Sequence, residues 1–115
     1  TIAELALNNS RILRVLGYKL FEAKAYEFAS EVFCQVALLR PTEPQSYRDL
    51  GLTMLELGAY QIAMDLLWRT VTMDVPAAFA EIEVETLWEL RDCIKRAQRK
   101  KSPLTLPAGL ATKQS

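Results

Sequence analysis

Residues 10–43 read SRILRVLGYKLFEAKAYEFASEVFCQVALLRPTE, and residues 44–77 read PQSYRDLGLTMLELGAYQIAMDLLWRTVTMDVPA. When the two stretches are aligned, the same or similar residues recur at a spacing of 34 positions. The matched positions are Leu16-Gly17 with Leu50-Gly51, Tyr26 with Tyr60, and Ala29 with Ala63. A fixed period of this length is typical of stacked helical hairpins, in which each hairpin packs on its neighbours. The repeat therefore predicts an all-α fold.

Apolar residues recur every three or four positions within each stretch, which predicts amphipathic helices. We expect helices at residues 10–23, 26–39, 44–57, 60–73 and about 78–100. Ser10 is the expected N-cap of the first helix, and Thr42 with Gln45 can form a capping box before the third. Gly58 is the expected left-handed residue that closes the third helix.

The chain ends and the cysteines give weaker signals. Residues 101–115 contain two prolines and show no periodicity, so we predict a flexible tail there. The only cysteines are Cys34 and Cys93, too few for a disulfide scaffold. Cys34 falls inside a predicted helix and is expected to be a small core residue. A Cys34–Cys93 bridge remains open.

Composition argues against several classes of function. The chain has no histidine, so it offers no Ser-His or Cys-His pair and no imidazole metal ligand. It has only 4 glycines, and no glycine-rich phosphate loop. No apolar run approaches the ~18–20 residues that cross a bilayer. We therefore predict a protein that is not an enzyme, has no cofactor or metal, and is not inserted in a membrane.

Charge is balanced overall but unevenly distributed. All 14 Asp and Glu residues lie before residue 95, whereas residues 95–115 carry basic charges only. An acidic body argues against a nucleic-acid partner. Glu81, Glu85 and Glu89 share one helix face, which could bind a hard cation but more often is a solvated face. Near the end of that helix, Asp92 and Arg96 are expected to form an i,i+4 ion pair.

These residues resemble the tetratricopeptide repeat family, whose pattern is W-x2-L-G-x2-Y, then A-x3-F, then P, at a 34-residue period. The first copy supplies Leu13, Leu16, Gly17, Leu20, Ala29, Phe33 and Pro41. The second supplies Tyr47, Leu50, Gly51, Met54, Ala63 and Leu67, with Pro76 one place late. In this family, Gly and Ala at these positions let the two helices of a hairpin approach closely.

The resemblance implies an α–α superhelix with defined parts. Residues 1–9 would end a truncated repeat, residues 10–43 and 44–77 would be full repeats, residues 78–100 would form a capping helix, and residues 101–115 would be the tail. The outer face of a capping helix is expected to be polar, because nothing stacks on it.

The resemblance also implies a non-catalytic scaffold that binds a protein or peptide in a concave groove. The expected groove residues are Arg11, Arg14, Tyr18, Phe21, Gln45, Arg48, Leu52 and Leu55, with Glu22 and Glu56 beside them. Arg14 and Arg48 are equivalent positions that could grip a carboxylate together. The alternative is that both pair with Glu22, Glu56 or Asp49.

A narrower resemblance suggests another role. RPTEPQSYRDLGLTMLELGAYQIAMDLLWRTV, at residues 40–71, and FAEIEVETLWEL, at residues 79–90, resemble a helical segment of large bacterial proteins. Those proteins carry a vault/inter-α-trypsin-inhibitor-like domain upstream and a β-rich domain downstream. This implies a structural spacer without its own ligand, and leaves the compartment open.

Helix 10–23 would expose Leu13, Leu16 and Leu20, which favours a homodimer.

Overall fold

The computed structural model describes residues 1–73 and 80–109 of the chain, and within those ranges it contains helices and no strand. The helices are α1 (Ile2–Glu22), α2 (Tyr26–Leu39), α3 (Pro44–Glu56), α4 (Tyr60–Thr72) and α5 (Ala80–Arg99). The prediction of an all-α fold is confirmed. The predicted break at Asp74-Val75-Pro76 and the first residues of the predicted fifth helix lie outside the described residues.

The first helix is longer than predicted. Residues 2–9 continue into residues 10–22 as one helix, so the predicted boundary at Ser10 is wrong. Thr1 caps the helix instead, in a capping box with Glu4. The Ser10 hydroxyl donates to the Leu7 carbonyl oxygen at 2.7 Å, a bond that lets serine sit inside a helix.

The third helix begins without a side-chain cap. Its N-cap residue is Glu43, and Pro44 occupies the first turn, where its missing N–H costs nothing. The predicted capping box of Thr42 and Gln45 is therefore wrong. The Gln45 amide donates instead to Asp49, four residues further along α3.

Three of the five helices, α1, α3 and α5, end in the same turn. Each is followed by a residue with positive φ, namely Lys24 at 62°, Gly58 at 78° and Lys101 at 54°. In each turn the next N–H reaches back five residues to a helix carbonyl, as a Schellman motif does. These bonds join Ala25 N to Leu20 O (2.9 Å), Ala59 N to Met54 O (3.0 Å) and Ser102 N to Ala97 O (2.9 Å). The prediction for Gly58 is confirmed.

Consecutive helices pack on one another, and α3 also contacts α5. Within the first hairpin, a Cβ on Gly17 would lie 2.4 Å from the Phe33 ring. Within the second, a Cβ on Gly51 would lie 3.1 Å from Leu67. Ala29 and Ala63 are fully buried on the opposing helices. The close approaches expected at the repeated Gly and Ala positions are therefore present.

Among the residues that the structure describes, buried side chains form two core clusters. One lies between α1, α2 and α3, and contains Ala29, Phe33 and Leu50. The other joins α3, α4 and α5, and contains Leu55, Ala63, Met64, Leu67, Leu90 and Cys93. Both cysteines are free, and Cys34 is exposed rather than buried, so the prediction that it is a core residue is wrong.

Residues 102–107 form an extended segment, not paired in a β-sheet, that packs on α4 and α5. Leu104 and Leu106 lie against the second core cluster, so the prediction of a flexible tail is wrong for this segment. Helical residues resume at positions 108 and 109, directly after Pro107, whose fixed φ suits the start of a helix. Residues 110–115 lie outside the described residues.

The exposed face of α5 carries charged residues but is not polar throughout. Val84, Leu87 and Trp88 are exposed on it, with Trp88 62% exposed. The Arg91 guanidinium lies 5.5 Å from the centre of the Trp88 ring. The expected polar face of a capping helix is therefore interrupted by an apolar patch.

Candidate binding pocket between α1 and α3

A pocket of about 300 Å³ opens between α1 and α3, with α2 at its base. Five of the predicted groove residues line it, namely Tyr18, Phe21, Gln45, Arg48 and Leu52. Phe33 and Asp49 complete the lining. The 34-residue period places α1 and α3 side by side, and this is why residues far apart in sequence converge here.

The floor of the pocket is apolar and held by ring contacts. The Tyr18 and Phe33 ring centres are 5.6 Å apart, with the planes tilted by 57°. Phe21 contacts Tyr26 edge-on at 5.1 Å. Phe33 is only 1% exposed because its ring packs against the bare backbone of Gly17. Such a floor suits an apolar side chain of a ligand.

One wall of the pocket is polar and centres on Asp49, which is 5% exposed. Its carboxylate accepts a hydrogen bond from the Tyr18 hydroxyl at 2.9 Å and another from the Gln45 amide at 2.6 Å. Burial raises the pKa of Asp49, and those two bonds offset part of the rise. Burial also raises the pKa of Tyr18, and the adjacent Asp49 charge adds to that effect. Tyr18 therefore stays a neutral hydrogen-bond donor.

Arg48 borders the pocket and joins α3 to α5. Its Nε donates to Glu89 Oε1 at 2.9 Å, and Glu85 lies 3.2 Å from its terminal nitrogen. Burial raises the pKa of Glu89, and the bonds from Arg48 counter part of that rise. Glu89 Oε2 is buried and has no hydrogen-bond partner among the residues that the structure describes.

Arg14 is likewise occupied. Its guanidinium forms an ion pair with Glu43 and donates to the Ser46 hydroxyl at 3.2 Å. Asp49 lies 3.8 Å from its Nε. Both arginines are thus paired within the chain, which is the predicted alternative to an open clamp for a ligand carboxylate. Of the predicted alternative partners, only Asp49 contacts either arginine among the described ion pairs.

The other predicted groove residues lie away from the pocket. Arg11 and Glu22 are exposed elsewhere on α1. Leu55 is buried in the second core cluster. Glu56 pairs with Arg96 on α5 at 3.3 Å.

The sequence pattern identified Phe33 only as a position of the repeat and Asp49 only as a possible ion-pair partner. The spacing of Gln45 and Asp49, four residues apart on one helix, was the available signal for the polar wall.

The charged clusters of α5 serve internal contacts. Glu85 and Glu89 face Arg48, and the described residues contain no group of three or more side chains placed to hold a metal ion. The predicted pair of Asp92 with Arg96 is confirmed at 2.9 Å.

Among the residues described, no helix has the length and apolar character required to cross a membrane.

Comparisons of the chain with protein-family models, with curated proteins and with solved structures found no match.

Proposed function

We propose that this chain is a non-catalytic interaction module built as a superhelix of tetratricopeptide-type hairpins. Support comes from the consecutive packing of its helices and from the shared turn that ends α1, α3 and α5. The Gly17 and Gly51 contacts, one period apart, add a second line of support. The proposed ligand is a peptide or protein segment that enters the pocket between α1 and α3.

The pocket lining carries this proposal. An apolar floor next to a fixed set of donors and acceptors is the usual composition of a ligand site. The floor would hold one large apolar side chain, while Gln45 and Asp49 would orient the adjoining peptide backbone.

The charges around the pocket select against an acidic ligand. Four carboxylates and two guanidinium groups surround it, namely Glu43, Asp49, Glu85, Glu89, Arg14 and Arg48. The excess of negative charge favours a neutral or basic peptide, since like charges at an interface are costly. This replaces the acidic peptide suggested by the two arginines alone.

A displayed library of random peptides tests the proposal. We expect enriched peptides with a large apolar residue and few acidic neighbours. Leu52→Glu should weaken their binding by roughly tenfold or more, as expected when an anchor site is disrupted. Ile62→Glu is the matched control, since Ile62 is exposed on α4 outside the pocket.

Gln45→Ala provides a second variant that leaves the apolar core untouched. Chemical-shift changes on peptide addition should centre on residues 17–21 and 45–52. The proposal would be refuted if no peptide were enriched, or if enriched peptides bound the folded Leu52→Glu and Gln45→Ala variants as tightly as the wild type.

A structural spacer is the second candidate function. The observation that favours it is that ion pairs already link α1 to α3 and α3 to α5. A spacer needs rigidity and no ligand. Failure to enrich any peptide, together with independent domains on both sides of this segment in a longer chain, would favour this function.

We also propose that two copies associate along α1. The exposed apolar residues of α1 are not those that the sequence predicted, because Leu13 and Leu20 are half-buried. The exposed stripe lies on a neighbouring face of the helix. It contains Ile2, Leu5, Ile12 and Leu16, with Ile12 67% exposed.

Asn9 lies in the same stripe, at the spacing of a heptad core position. A single asparagine there favours a parallel two-helix pair in one register, because two asparagines can face each other. Sedimentation equilibrium should show a concentration-dependent dimer that Ile12→Glu abolishes, with Glu31→Gln on α2 as an unaffected control. A wild-type monomer at high concentration would refute this association.

A further inference from the structure

The extended segment at residues 102–107 is held through its backbone at Thr105. A single side chain, Gln61 of α4, makes two hydrogen bonds with Thr105. Its Nε2 donates to the Thr105 carbonyl oxygen at 3.1 Å, and its Oε1 accepts from the Thr105 N–H at 2.8 Å. A primary amide that satisfies both groups of one residue reads the extended shape of the chain and not the identity of its side chain.

The side chains on either side of Thr105 provide the rest of the contact. Leu104 and Leu106 are half-buried against the second core cluster, whereas the intervening Thr105 is exposed. This alternation is the period of two that an extended chain requires. The groove therefore accepts a short strand with leucines two residues apart.

The groove exists because the chain stops forming hairpins. After α1 and α3, the shared turn leads directly into a helix that begins at Tyr26 or Tyr60. After α5, the same turn leads into Pro103, and the next helical residues are 108 and 109. A further helix would cover this surface of α4 and α5, and residues 103–107 cover it instead.

We propose that the groove between α4 and α5 is a docking site for an extended peptide with leucines two residues apart. Residues 102–107 are its built-in occupant, and an external peptide of the same pattern replaces them. Recognition uses one backbone residue and two apolar side chains, so it transfers to any chain with that pattern. The tethered occupant competes at a high effective concentration, which restricts the site to strong or abundant partners.

This site is independent of the proposed peptide pocket. The two share none of their recognising side chains, because Gln61, Leu104 and Leu106 all lie outside the pocket between α1 and α3. Variants of one site therefore leave the lining of the other intact.

The test uses the full chain with Leu104→Asp and Leu106→Asp together, which removes the built-in occupant. The probe is a fluorescein-labelled peptide with the sequence of residues 102–109, SPLTLPAG. We expect saturable binding that is roughly tenfold or more tighter for the opened variant than for the wild type, because the tethered strand no longer competes. A peptide with both leucines replaced by aspartate should not bind.

Gln61→Ala in the opened variant should weaken binding several-fold, whereas Gln35→Ala, at an exposed glutamine on α2, should not. An opened variant that keeps its helical circular dichroism and binds no peptide overturns the proposal. So does equal binding by the Gln61→Ala and Gln35→Ala variants.

If the opened variant loses its helical signal, the wild type provides the decisive measurement. Saturating peptide should then remove the hydrogen-exchange protection of the Thr105 amide. Unchanged protection at Thr105 overturns the proposal.

Discussion

Gly17→Ala should destabilise the first hairpin although alanine is the better helix former. A Cβ at this position would lie 2.4 Å from one Phe33 ring carbon and 2.8 Å from two others. The ring cannot move freely, because Phe33 is buried and contacts Tyr18 at 5.6 Å between ring centres. The substitution therefore inserts a methyl group where there is no space.

The magnitude follows from two opposing effects. Alanine in place of glycine inside a helix gains about 1 kcal/mol. Forcing an extra carbon into a packed core costs typically about 1–3 kcal/mol and occasionally more, and a contact this short lies at the upper end. We expect a net loss of about 1–2 kcal/mol in the free energy of unfolding, or roughly 4–8 °C in midpoint for a chain of this size.

Gly51→Ala is the matched control from the second hairpin. Its Cβ would lie 3.1 Å from Leu67, a flexible side chain that can shift by a few tenths of an ångström. The gain in helix propensity should then offset the packing cost, giving a change of about 0.5 kcal/mol or less.

Urea unfolding followed by circular dichroism at 222 nm measures both variants. The double variant Gly17→Ala with Phe33→Leu has the same residue pair as the Gly51→Ala variant, in which alanine faces Leu67, and should recover part of the loss through a favourable coupling energy. Equal stability changes at Gly17 and Gly51, or no coupling between Gly17 and Phe33, would refute the reasoning.

The remaining predictions concern three other features. Lys24→Gly should stabilise the chain by about 0.5–1 kcal/mol, because Lys24 has a positive φ of 62° that glycine adopts without strain; Lys24→Ala, which keeps the strain, should not. Because burial raises the pKa of Asp49, its contribution to stability is greatest below the unfolded pKa of about 3.9 and falls as pH rises through the folded pKa. Urea unfolding between pH 4 and 7 should therefore show Asp49→Asn gaining stability relative to the wild type as pH rises, and a constant difference would contradict this. A thiol reagent at pH 8 should modify exposed Cys34 in the folded chain and spare Cys93, whose burial raises the pKa of its thiol to about 11; equal rates would show that Cys93 is accessible.

The helices that lie within the two 34-residue repeats were predictable because several local sequence signals favour the same structure. Tyr26 and Tyr60 begin α2 and α4 at the expected positions, and Gly58 has the expected left-handed backbone. At these positions hydrophobic period, turn chemistry and repeat spacing all favour the same structure.

The predictions that were wrong depended on a single local sequence signal. Ser10 resembles an N-cap, but residues 2–9 are good helix formers and Thr1 with Glu4 already provides a capping box. The extended segment at residues 102–107 has leucines two positions apart, a spacing that differs from the three- and four-residue period of an amphipathic helix. Its Thr105 is hydrogen-bonded by Gln61, a residue 44 positions away that no local pattern connects to it.

The pocket could be predicted only in part. The repeat period brings Tyr18 and Leu52 to one groove, because it fixes which helix faces meet. It carries no information on which charges neutralise one another. The partners of Arg48 lie on α5, outside the repeat frame, so the period could not identify Glu85 and Glu89, whereas Asp49 was among the predicted internal partners.

The position of Arg48 links two parts of the molecule energetically. It lines the pocket on one side and bonds to Glu89 of α5 on the other. A ligand that draws this guanidinium toward itself leaves Glu89 buried with weaker compensation, so its binding is reduced by the cost of loosening α5. By thermodynamic reciprocity, any contact that holds α5 in place disfavours such a ligand by the same free energy, and favours ligands that leave Arg48 where it is.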